Sequence, residues 1–71
     1  MNKNELVKVT VNLTEENSEI VNQLSNEQKV NKTTIINKAI ALEKFISDAL
    51  KNEQKIMIVD KDGTRREIVF R

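Results

Sequence analysis

The chain contains no cysteine, histidine, proline, tryptophan or tyrosine, and a single glycine, Gly63. Each absence closes a route. Without Cys, no disulfide can staple the fold, and without Cys or His the common transition-metal ligands are missing. One Gly is too few for a glycine-rich loop that cradles phosphates. Ser18, Ser25 and Ser47 have no histidine to serve as base, so nucleophilic catalysis lacks its partner. We therefore expect no enzyme, no cofactor and no metal. Asp60 and Asp62 before Gly63 match the opening of a calcium loop, but the later ligand positions are not filled.

Long apolar runs are also missing. No stretch approaches the ~20 apolar residues of a membrane span, and MNKNELVKVTVNL lacks the apolar centre of a secretion signal. The expectation is a soluble, cytoplasmic protein with no membrane partner, and the lack of Cys suits a reducing compartment. Aromatics are limited to Phe45 and Phe70, so Ile, Val and Leu must build the core. A chain of 71 residues makes one folding unit, and a lone domain of this size buries only roughly 60% of its unfolded surface. Chains this small usually add a disulfide, a metal or a second subunit. Association is the route left.

Charge balance is nearly even, at +1 overall, so the molecule is not a polycation. Its distribution is more telling. Lys29, Lys32 and Lys38 lie between the acidic stretch Glu15, Glu16, Glu19 and the later carboxylates, while Lys3 and Lys8 flank the first apolar segment. A local basic face can meet phosphates without a high net charge.

Leu6 to Leu13 reads LVKVTVNL. Val7, Val9, Val11 and Leu13 alternate with Lys8, Thr10 and Asn12, the period of a strand with one buried face. Thr14 then serves as a helix N-cap, with Glu15 and Glu16 in the first turn where the helix dipole favours negative charge. The pattern predicts helix A over 15–27, with a thin apolar stripe of Ile20, Val21 and Leu24 that needs packing to hold it. Asn31 caps the next helix, predicted over 32–50. Its wide stripe of Ile35, Ile36, Ala39, Ile40, Leu42, Ile46, Ala49 and Leu50 exceeds what helix A alone can cover. Beyond it, IMIV at 56–59 and IVF at 68–70 flank Asp60-Lys61-Asp62-Gly63-Thr64. Gly63 sits where a hairpin turn needs positive φ. The chain thus divides into two units: 1–52, and a C-terminal β-hairpin extension over 53–71.

A lone strand leaves its N–H and C=O groups unpaired. The segment 6–13 has two conceivable partners: its copy in a second chain, or the C-terminal hairpin of its own chain. In the first case Val7, Val9, Val11 and Leu13 of both chains would rest on the helices. Each contributes about 1.5–3 kcal/mol on full burial.

The stretches VKVTVNLTEE and VNKTTIINKAIALEKFI, separated by a short helix, resemble the ribbon-helix-helix (MetJ/Arc) superfamily of dimeric DNA-binding proteins over residues 6 to 50. The resemblance implies a mostly α fold with a short N-terminal strand, assembled as a homodimer through an intermolecular antiparallel two-stranded ribbon. It implies double-stranded DNA as partner, with the ribbon in the major groove. The outward residues Lys8, Thr10 and Asn12 would then contact bases. Asn12 suits adenine through its amide, Lys8 guanine or phosphate, and Thr10 a thymine methyl or a polar edge. Asn31, Lys32, Thr33 and Thr34, at the start of the second helix, would clamp phosphate. Val7, Val9, Val11, Leu13, Ile36 and Ile40 would form the dimer core. The chain departs from the family where Gln28-Lys29 replaces the frequent turn Gly. Asn26 or Lys29 must go left-handed there, and Asn tolerates that better.

The function so implied is a sequence-specific transcriptional regulator, a repressor of plasmid, phage or chromosomal genes. The hairpin keeps two readings open: added core, with Ile56, Ile58, Ile68 and Phe70 covering the back of the second helix or pairing with the hairpin of a neighbour, or a surface for dimer–dimer contacts or for another protein. With a protein partner the chain would be an antitoxin or a conjugation or plasmid accessory protein. A third possibility is a monomeric interaction module in which the first strand joins the hairpin.

Overall fold

The computed structural model describes Lys3 and residues 5–70. Met1, Asn2 and Asn4, within the first expected unit, and Arg71, the end of the expected hairpin unit, lie outside the described residues. The elements are α1 (Glu15–Gln28), α2 (Lys32–Lys51), β1 (Ile56–Val59) and β2 (Arg65–Ile68). The architecture is mostly helical, closed by a two-stranded antiparallel sheet.

Both helices begin on the capping residues that the sequence supplies. The Thr14 hydroxyl accepts from the Asn17 amide at 3.0 Å, and the Asn31 side-chain oxygen accepts from the Thr34 amide at 2.8 Å. Each bond satisfies one of the amides that a helix start leaves without a partner. Both helices also end alike. Lys29 (φ 55°) and Glu53 (φ 59°) are left-handed. The chain then closes back, Val30 N–H donating to Ser25 C=O at 3.1 Å and Gln54 N–H to Ala49 C=O at 2.9 Å. These are the closures that usually recruit Gly. Between Asn26 and Lys29, the left-handed position is Lys29. The reason is the closure: the Lys29 amide also donates to Ser25 C=O, and half-buried Val30 must come directly after it to tie the turn down.

The hairpin pairs Ile56 with Ile68, Met57 with Glu67, Ile58 with Arg66 and Val59 with Arg65. Its turn fits a three-residue loop with Gly63 left-handed at φ 88°. Gly63 N–H donates to Asp60 C=O at 2.9 Å, and Asp60 N–H to Thr64 C=O at 2.8 Å. The Asp62 carboxylate accepts from the Thr64 amide at 2.9 Å. That amide, then the Thr64 hydroxyl, holds the Asp62 pKa below its ordinary value. The bond therefore favours the folded turn above the unfolded-state pKa and is lost as pH falls through the folded one.

The strand expected over 6–13 is not a strand in the single chain. A ladder needs a second strand, and the sheet contains only β1 and β2. The segment therefore runs past α2 as an arm assigned to neither helix nor sheet. It does not join the hairpin.

The chain does not close its own core. Among the described residues only Ile35 and Ala49 are buried. The accessible surface is 7050 Å², whereas a folded monomer of 8.2 kDa exposes about 4,500 Å². The radius of gyration is 15.3 Å against about 11 Å for a compact chain of this length.

Lys29 stands where a side chain is disfavoured, so Lys29→Gly should stabilise the protein by about 0.5–1 kcal/mol. Urea denaturation of the two proteins checks this, and an unchanged or lower midpoint would show that the turn carries no strain.

Candidate nucleic-acid interface

The arm is positioned by the helices it leads into. Thr14 fixes the entry to α1, and Val11 and Leu13 just before it line an apolar groove with Ile20, Val21 and Leu24 of α1 and Ile35, Ile36, Ala39 and Ile40 of α2. The groove is open and about 490 Å³ in volume. Of the six residues expected in a dimer core, four meet here: Val11, Leu13, Ile36 and Ile40. Ile36 is half-buried, while Ile40 is 63% exposed. Val7 and Val9 lie elsewhere, beside Thr33 and Asn37 of α2, and are 81% and 72% exposed. Large aliphatic side chains along one arm and one groove thus remain in water in the single chain.

Lys8, Thr10 and Asn12 are all exposed. Lys8 shares a hollow with Val7, Val9, Thr33 and Asn37. A neighbouring hollow is lined by Lys3, Glu5, Leu6, Asn31, Thr33, Thr34 and Lys38, among others. The structure therefore brings the start of the arm against the start of α2, with Lys8 beside Thr33 and Asn31 and Thr34 in the neighbouring hollow; Lys32 lines neither. Thr10 and Asn12 lie further along the arm, outside both hollows. Glu5 is the one carboxylate among the residues lining the two.

At the α2 start, Asn31 is occupied with capping. Its side-chain oxygen accepts from the Thr34 hydroxyl at 2.9 Å as well as from the Thr34 amide. Lys32 and Thr33 are exposed, and their amides precede the first bonds of the helix, at its positive end. Asn37, which sequence reasoning missed, lines both hollows, and its amide donates to Thr33 C=O at 2.9 Å. A polar residue four positions after Thr33, one helical turn on, was the available signal. Lys38 donates to Gln28 across the helix–helix turn, tying the end of α1 to α2.

Among the described residues no group of three or more His, Cys, Asp and Glu side chains comes together. Among the described residues no helix is long and apolar enough to cross a membrane. Compared with protein-family models, curated proteins and solved structures, the chain matches none.

Asn31→Ala removes both bonds to Thr34 and should cost about 1 kcal/mol of stability, while Asn31→Ser should retain most of it. Thermal or urea unfolding of both variants measures this. Equal losses for Ser and Ala would place the effect outside the cap.

Proposed function

We propose that the chain is a sequence-specific DNA-binding regulator that acts as a ribbon-helix-helix homodimer, with repression of transcription as its role. The observation that carries this reading is the arm. It pairs with no strand among the described residues, its Val11 and Leu13 line an open apolar groove, and its Lys8, Thr10 and Asn12 are exposed. Pairing the arm antiparallel with its copy would give partners to alternate residues of each backbone and cover both grooves. The accessible surface in excess of a compact monomer, about 2,500 Å² per chain and so about 5,000 Å² per pair by the same scaling, is the size of the larger obligate dimer interfaces.

In that dimer the ribbon would present two copies of Lys8, Thr10 and Asn12 on one face. The major groove admits a two-stranded ribbon and displays a distinct donor and acceptor pattern for each base pair. Asn12 offers an amide for adenine, Lys8 a cation for guanine or phosphate, and Thr10 a hydroxyl and a methyl. The two α2 starts would flank the ribbon, with Lys32, Thr33 and their free amides on phosphates, setting register without reading sequence. Asn31 and Thr34 support that contact by holding the cap.

Asn12→Ala should weaken binding to the cognate site, about tenfold or more per dimer, while largely sparing random DNA. Lys32→Ala should weaken both about equally. With roughly four to six phosphates neutralised per dimer, log K should fall against log salt with a slope of about −4 to −5. Electrophoretic titrations on a site selected from random DNA check all three. A flat salt response would remove DNA as partner; equal losses for Asn12→Ala on both DNAs would remove it as a base reader.

A further inference from the structure

The hairpin presents a β1 edge that pairs with no other strand among the described residues. Asp60 pairs with Thr64 through the Asp60 amide at 2.8 Å, and antiparallel ladders alternate. In the hairpin's register, Ile58 and Ile56 bond inward to β2. The N–H and C=O groups of Met57 and Val59 therefore point outward. The edge is apolar throughout: Ile56, Met57, Ile58 and Val59 carry no charge. Val59 is 61% exposed, Met57 44% and Ile58 41%. A β-rich, uncharged and proline-free edge is what natural sheets usually guard against pairing. An isolated two-stranded hairpin is also marginal in water.

We propose that β1 pairs antiparallel with β1 of a second copy about a two-fold axis at Ile58, joining two hairpins into one four-stranded sheet. The register is set by the outward groups. Met57 faces Val59 of the copy, and each such pair exchanges two backbone bonds, Met57 N–H to Val59 C=O and Val59 N–H to Met57 C=O. Ile58 meets its own copy in the close, non-bonded pair between them. Within Ile56–Val59 no charge meets a like charge; just beyond, Lys55 falls opposite Lys61 of the copy. The opposite edge fits a copy less well. Three of the four β2 residues are charged, and the equivalent two-fold would set Arg66 against Arg66 at the shortest side-chain spacing. The uncharged strand selects a second copy of itself as occupant.

This contact uses none of the arm, so it adds to the proposed ribbon dimer and does not rest on it. With both contacts, and their two-fold axes crossing at right angles, the full chain closes as four subunits, two dimers joined through both pairs of hairpins. On DNA such a body would bind two sites cooperatively.

Sedimentation equilibrium on the full chain tests this with Val59→Pro and Val59→Lys. The first removes an outward donor and leaves the inward ladder bonds in place; the second adds a charge to the edge. Far-UV circular dichroism confirms that each variant stays folded. The wild-type chain should form a four-chain species, and each Val59 variant should weaken its last association step about tenfold or more. Val11→Lys, placed in the apolar groove, separates the two contacts. If it too stops at two chains, both contacts exist. If the wild-type chain stops at two and Val59→Pro separates that pair while Val11→Lys leaves it intact, the ribbon reading falls and the hairpin contact stands. A wild-type chain that stays single at millimolar concentration, or a two-chain or four-chain species that survives both Val59 variants, overturns the hairpin contact. Should Val11→Lys not fold, the Val59 pair still decides.

Discussion

A polypeptide arm in water must find partners for both its backbone and its apolar side chains; among the described residues no strand pairs with this arm, and its aliphatic side chains stay largely exposed. Residues 6–13 alternate aliphatic and polar side chains, yet no ladder receives them. The groove floor that Val11 and Leu13 line, between α1 and α2, stays open. Everything else in the molecule is arranged around that deficit. The helices are capped and closed locally, so they hold their ends without a large core, but two buried residues cannot anchor a domain of this size. A second copy is the proposed source of the missing contacts, and it answers both needs with one interface.

That dependence joins stability to function in the proposed dimer. The same period of two that would send Val9, Val11 and Leu13 inward would send Lys8, Thr10 and Asn12 outward. A one-residue slip would exchange the faces, so burial of the aliphatics would also fix which polar residues reach a groove. The start of α2 plays a matching double role. Asn31 holds Thr34 in the cap, leaving Lys32 and Thr33 at the positive end of the helix with Lys8 and Asn37 nearby. A modest net charge suffices for such a partner when the cations gather at one edge.

Much of the fold was legible in the sequence because its signals are local. Thr14 and Asn31 marked the helix starts, and the predicted ends fell within one residue of those observed, Gln28 and Lys51. Asp60 to Gly63 marked the hairpin turn. Less legible was the turn between the helices. Residue preference pointed to Asn26, whereas the hydrogen bonds back to Ser25 place the left-handed residue at Lys29. The candidate site was legible in its parts but not in its assembly. Alternation named the exposed arm residues and capping rules named the α2 start, but the approach of the arm to Thr33 and Asn37 is tertiary. Val7 and Val9 were expected beside Val11 and lie instead against α2's polar start. Alternation ranks faces of a strand, and a strand without its partner has no face to bury.

The most direct test of the central claim is an isotope-filtered NOE experiment on a mixture of labelled and unlabelled chains. The account predicts cross-strand Hα contacts between residues 6–13 of one chain and the same residues, in antiparallel order, of another. Contacts from that segment only to β1 or β2 of its own chain, or none between chains, would contradict it.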